Sequence, residues 1–321
     1  MTTNIDHVLD RRSLRSKVTF WRIAALVGLA AMFIAIIGWA GAFSGLGSHG
    51  PHIARIPITG TITEDRALLA LLKEVKENDN VKGVVLSINS PGGTTVGGEA
   101  IFNAVRELAE TKPTATSVGT LAASAGYMIA TASDHIVARH SSIIGSIGVI
   151  IQYPQASQLL DKIGVQMNEV KSSPIKAEPS PFKETPLAAR VMLQELIDDS
   201  YKWFQGLVKD RRSLSEQELS VVADGSVFSG KRAMSLKLID AIGGEEVAKQ
   251  WIIKKDGLDE EIELIDTPVK REAVGGLFSR NLIDSLNDDK SSILREIGEK
   301  ALPPSLSRRL FLDGLLSIWH G

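Results

Sequence analysis

The chain has 321 residues, 44% of them hydrophobic and 23% charged, with a formal net charge of −2. That is ordinary globular composition with enough apolar content for a core of one large or two small domains. The near-neutral balance gives no footprint for nucleic acid. The absence of cysteine excludes disulfides, thiolate metal sites, iron–sulfur clusters and cysteine nucleophiles together.

In chain order, residues 1–22 form a polar tail carrying Arg11, Arg12, Arg15, Lys17 and Arg22. Ile23 to Ala42 then run without a charge, long enough at ~1.5 Å per residue to cross a ~30 Å bilayer core. Basic residues before this run keep its N-terminal side cytoplasmic, and Trp21 and Trp39 stand where interfacial aromatics belong. The expectation is an uncleaved anchor over 23–43, favoured over a cleavable signal peptide although Ala40-Gly41-Ala42 has the A-x-A pattern. Residues 44–52 read as a glycine-rich linker.

Short apolar runs then alternate with helical patterns. Strands are predicted over 53–58, 81–88, 114–118 and 135–138. Helices are predicted over 65–77, with Leu68, Leu69, Leu72 and Val75 inward, and over 96–108 and 124–132. This rhythm defines an α/β protein with βαβ units and a mostly parallel sheet covered by helices. A long helix follows over 186–211, and a shorter one from Ser229, a plausible N-cap, through Leu238. Residues 53–265 are expected to form the catalytic domain. Residues 266–321 form an extension with a Pro303-Pro304 break and a final amphipathic run, 310–319, suited to packing on a neighbouring subunit or a membrane surface.

Three segments carry chemistry. Asn89-Ser90-Pro91-Gly92-Gly93 follows a buried strand and precedes a helix, so its glycines can turn tightly and present backbone N–H groups. A plain strand-to-helix turn is the bland alternative. Ser124 sits among very small neighbours, Ala122-Ala123-Ser124-Ala125-Gly126, at a predicted helix start, where a substrate carbonyl can approach and developing negative charge is stabilised. The same serine could simply pack or cap. As base, His135 with Asp134 would make a triad, and His140 lies nearby, but a lysine suits better. Lys171 and Lys176 both lie in a loop of small and apolar residues. Burial lowers a lysine pKa from ~10.4 by up to ~3–5 units, enough to free the amine. No metal-ligand cluster and no cofactor motif accompanies these segments.

Taken together, RIPITGTI (55–62), GVVLSINSPGG (83–93), VGTLAASAGYMIATASDHIVA (118–138), GSIGVI (145–150), VKSSPIKAEPSPF (170–182) and ADGSVFSGKRAMSLKLIDAIG (223–243) resemble the signal peptide peptidase A family in its short bacterial form. The resemblance covers residues 53–255. It implies the fold shared by the Clp proteolytic subunit and crotonase, a ββα superhelix, here with an N-terminal transmembrane helix. It implies a Ser-Lys dyad of Ser124 and Lys176, rather than Lys171, and an oxyanion hole made by the backbone N–H groups of Gly93 and Ala125. Alanine at 125, where the family often has glycine, keeps the N–H provided its φ is negative. The resemblance further implies a homo-oligomer on the extracytoplasmic side of a bacterial inner membrane, acting on signal peptides or other unstructured hydrophobic peptides. It implies no cofactor, no metal and no nucleic-acid partner. Rival expectations are a stomatin-partner type protease of the same fold, a crotonase-like acyl-CoA enzyme, and a non-catalytic scaffold.

Overall fold

The computed structural model describes residues 21–23, 25–29, 31–33, 50–269 and, for the backbone alone, 316–318. The residues described between 21 and 33 are helical, with Trp21, Leu26 and Phe33 exposed. The rest of the expected anchor lies outside the described residues. Among the described residues no helix is long and apolar enough to cross a membrane. Residues from Pro51 onward form a unit of their own.

That unit is built on an eight-stranded sheet. Its strands are β1 (His52–Thr59), β2 (Val81–Ser90), β4 (Thr114–Ala123), β5 (His135–Ala138), β6 (Ile143–Gly145), β7 (Val227–Ser229), β8 (Ala241–Ile242) and β9 (Glu263–Asp266). The path β7-β6-β4-β2-β1-β9 is parallel except at β6–β7. β4 is the fork of the sheet. Its first half, from Ala115 to Val118, pairs with β5, and its last residues, Leu121 to Ala123, pair with β6. Val84, Val85, Leu86 and Ile88 of β2 are fully buried, as expected for a central parallel strand covered on both faces.

Helices α1 (Arg66–Glu77), α2 (Thr95–Ala109) and α3 (Ala125–Ala132) follow β1, the turn after β2, and β4. Asp65 caps α1 by accepting from the N–H groups of Ala67 and Leu68. The inward face of α1 is Leu68, Leu71, Leu72 and Val75, so Leu71 takes the place expected for Leu69, which is half-buried. α3 is buried along its whole length because its residues are apolar or small. Later come α4 (Ser157–Ile163), α5 (Leu187–Arg212), α6 (Glu216–Val222), α7 (Gly230–Ser235) and α8 (Glu245–Asp256). Ser229 caps α7, accepting from Arg232 N–H, and the helix stops earlier than expected, at Ser235. Thr114 to Ala123 forms one strand, longer than the 114–118 expected, and carries the chain directly to Ser124.

Two strands lie apart from the sheet. β3 (Gly92–Thr94) touches Ile62 on one side through a parallel bridge, and on the other pairs antiparallel with β10 (Leu316–Ile318).

Candidate active site

The site grows from the ends of β2 and β4. The two strands pair in one register as far as Ile88↔Val118 and, after a bulge, meet again at Ser90↔Ala122, so the glycine turn and the serine leave the sheet side by side. Gly126 confirms the closeness: a Cβ there would lie 3.0 Å from the Ser90 carbonyl oxygen. Gly98 of α2 packs on α3 as tightly, a Cβ there meeting the Ala125 Cβ at 3.1 Å.

Ser124 is 1% exposed and stands at the N-cap of α3 with φ 55° and ψ −120°. Positive φ in a non-glycine residue is unfavourable by roughly 1–3 kcal/mol and persists only where surroundings impose it. Here the Ser124 N–H donates to Gly145 O at 2.8 Å, and its carbonyl accepts from Met128 N–H at 2.9 Å. Its hydroxyl caps nothing, and Oγ is a buried polar atom without a hydrogen-bond partner among the described residues. A hydroxyl placed at a helix N-terminus yet kept from capping it is available for other chemistry. Packing and capping, the bland readings of this serine, leave that free oxygen unexplained.

Ala125 is helical, so its φ is negative and it carries its N–H without strain. As the first residue of α3 it has no intrahelical acceptor for that N–H. Gly93 is fixed by close approach: a Cβ there would fall 1.8 Å from Ile62 O, so no other residue fits. Ile62 N–H donates to Gly92 O at 2.9 Å and Thr94 N–H donates to Ile62 O at 2.8 Å. Main-chain groups alternate sides along a strand, so the N–H and C=O of Gly93 point away from Ile62.

The two candidate lysines differ sharply. Lys171 Nζ lies 2.7 Å from Glu178 Oε1 and 2.9 Å from Glu169 Oε2. Lys183 joins the same two carboxylates, and Glu178, whose side chain has no exposure, also accepts from Ser180 N–H at 3.1 Å. The Lys171 and Lys183 ammonium groups hold the Glu178 carboxyl down at about 2. Lys171 is therefore a member of an ion-pair cluster. Lys176 is exposed, its N–H donating to Ser173 O at 3.2 Å. Since Ser124 Oγ has no partner, the single chain does not bring Lys176 into hydrogen-bond reach of it.

His135 fails as a base on position. It pairs with Ala115 at the start of β4, eight residues before Ala123, which puts it about 26 Å along the strand from the residue that precedes the serine. It stacks on Trp251 at 4.8 Å, and burial holds its imidazole below the ordinary range, with Asp240 opposing. His140 is exposed. The residue reading missed the ion-pair cluster and the C-terminal strand. Only the sign alternation of Glu169, Lys171, Glu178 and Lys183 hinted at the first.

The model of Peptidase family S49 matches residues 106–259. A protein of Synechocystis sp. named as a protease is 38% identical over 231 residues, covering 70% of this chain and 83% of its own. One of Enterococcus faecium named as a signal peptide peptidase is 35% identical over 240 residues, covering 70% of this chain and 67% of its own. Protease 4 of Haemophilus influenzae is 31% identical over 270 residues, 80% of this chain, but the match spans only 44% of that relative. The sheet, the flanking helices and these relatives together define a peptidase with a Clp-protease-like α/β fold. The chain belongs to peptidase family S49, the signal peptide peptidase A family.

Proposed function

We propose that the protein is a membrane-anchored serine endopeptidase in which Ser124 is the nucleophile and Lys176 the general base. The observation that carries this reading is the orphaned Ser124 Oγ, buried on strained backbone at the head of α3. Ser124 Oγ attacks the peptide carbonyl carbon as its proton passes to the neutral lysine amine. The N–H groups of Gly93 and Ala125 receive the resulting oxyanion, where each such donor typically contributes about 3–4 kcal/mol. The lysine returns its proton to the leaving amine, and water then releases the acyl group.

An amine works as a base only when desolvated, and Lys176 is exposed in the isolated chain. The cover is an apolar peptide or a second copy of the chain. Exposed apolar side chains around the lysine loop support a homo-oligomer, among them Leu159, Met167, Val170, Leu187 and Val191. The apolar residues described at 21–33, exposed on a helix, support an anchor over 23–43 that holds the catalytic unit on the extracytoplasmic face. Cleaved signal peptides and other unstructured hydrophobic peptides near the membrane are the substrates that suit such a site.

A fluorophosphonate probe followed by intact-protein mass spectrometry tests the assignment. One adduct at Ser124, absent in Ser124→Ala, is the expected result. Labelling of another serine, or none in a folded full-length chain, would overturn it.

A further inference from the structure

Ser90 stands between the two backbone donors assigned to the oxyanion. It has no exposed surface, and its hydroxyl is engaged twice, donating to Gly60 O at 2.7 Å and accepting from Gly92 N–H at 3.1 Å. On its other flank it packs on α3: a Cβ at Gly126 would lie 3.3 Å from Ser90 Cβ and 3.5 Å from Ser90 Oγ. One small side chain therefore touches the residue before the Gly93 donor and the residue after the Ala125 donor. Gly92 has φ 106° and no Cβ to limit rotation, so the turn carries a soft joint just ahead of Gly93. Two hydrogen bonds stiffen that joint. Ser90 Oγ takes the Gly92 N–H, and Ile62 N–H holds the Gly92 carbonyl at 2.9 Å. The segment that carries Ile62 is itself tied back to Ser90 through Gly60 O.

We propose that Ser90 is a positioning residue for the oxyanion hole, its hydroxyl fixing the place of Gly93 N–H relative to Ala125 N–H. The inference rests on the peptidase reading above for its catalytic consequence, though not for its geometry. Fully buried, Ser90 cannot touch a substrate and acts only through the backbone it holds. Its effect therefore belongs to the transition state. A ground-state carbonyl asks little of the hole, whereas the oxyanion needs both donors in place, and a displacement of about 1 Å can cost about 10²-fold.

Ser90→Ala in the full-length chain is the direct test, because alanine keeps the packing on Gly126 and removes both hydrogen bonds. Kinetics are read beside the binding of two ligands, a short hydrophobic peptide aldehyde and the matching peptide alcohol. Ser124 Oγ adds to the aldehyde carbon as its proton passes to the base, and the carbonyl π pair moves onto the oxygen held in the hole; the alcohol forms no such bond. The expected result is a kcat about 10–10²-fold lower with KM within twofold, aldehyde binding weaker by a similar factor and alcohol binding unchanged. An unchanged kcat, or equal weakening of aldehyde and alcohol, overturns the proposal. Ser90→Cys, which keeps a side chain of similar shape with a weaker donor and acceptor, carries the same test with a smaller loss if the alanine variant does not fold. A further arm needs no catalysis: backbone amides are followed by NMR in Ser124→Ala and in Ser124→Ala/Ser90→Ala. Faster exchange at Gly92 together with a shifted Gly93 amide resonance supports the proposal, and an unmoved Gly93 resonance refutes it. If the wild type neither hydrolyses peptide nor takes the aldehyde while the amide arm succeeds, the peptidase reading fails and the role of Ser90 in placing Gly93 stands.

Discussion

The two halves of the proposed dyad rest on very different ground. Ser124 stands on a platform in which every neighbour is fixed: β4 behind it, a wholly buried α3 after it, Gly145 O holding its N–H. Lys176 rides on an exposed loop between α4 and α5, secured by the charges of Glu169, Lys171, Glu178 and Lys183. The chain alone can impose a strained nucleophile, because close packing over-determines its backbone. It cannot alone keep an amine dry. The hydroxyl is made ready by folding, the amine by whatever covers it afterwards.

That contrast can be broken at several points. Ser124→Ala removes the nucleophile and should lower kcat about 10⁴-fold or more while the thermal midpoint stays put, or rises as a buried unpartnered hydroxyl is removed, checked by peptide hydrolysis and calorimetry. Lys176→Ala should lower kcat roughly 10²–10⁴-fold, the usual worth of a positioned base, again with an unchanged midpoint. A midpoint that fell for the lysine variant and not for the serine variant would reverse the comparison.

Glu178→Gln should act more gently, because it loosens the mount of Lys176 rather than the base itself. An activity loss of about tenfold is expected, read as kcat with KM little changed. The wild-type clamp also has a pH signature. A carboxylate whose folded pKa is depressed contributes stability above its unfolded value, about 4.3, and loses it as pH falls through the folded value, about 2. Loop protection measured by hydrogen exchange should therefore decline between these limits in the wild type and decline less in Glu178→Gln, where only the Glu169 carboxylate, also held down by Lys183 and Lys171, is left to titrate. The smallest effect on activity is expected from Arg211→Ala. Arg211 donates to Thr131 O and Ser133 O at 2.8 and 2.9 Å, and with Arg106, which donates to Ala132 O, closes the C-terminal end of α3. Its loss should cost about 1–3 kcal/mol of stability, seen as a midpoint several degrees lower, with kcat within twofold. A large fall in kcat would mean that the nucleophile's platform is softer than its burial suggests.

Much of the platform was legible in residues because it follows local rules. β-branched runs gave the strands, Asp65 and Ser229 the caps, and the small residues around 124 the buried helix. Leu71 replaced Leu69 because both sit near the edge of one helical stripe, and only the neighbouring α2 decides between them. The length of β4 was missed because its second half, Gly119-Thr120-Leu121-Ala122-Ala123, lacks β-branched density and is held by its partner β6. The lysines were separable by resemblance alone until the carboxylates came into view. No spacing shows that Glu178 folds back onto Lys171. The seat of β10 was beyond reach for a simpler reason: a three-residue strand pairing with the other end of the catalytic unit leaves no periodic trace.

The bridge between Ile62 and β3 has a further consequence. With one flank of Gly92–Thr94 already taken by Ile62, a peptide added to β3 on the proposed peptidase reading would have to pair through its main chain along the opposite border, where β10 sits here. A folded domain has spent its own amides and carbonyls internally and has none to lend. On the proposed reading, selection at this border would filter for loss of structure before it filters for sequence, and a polypeptide would become eligible at the moment it unravels.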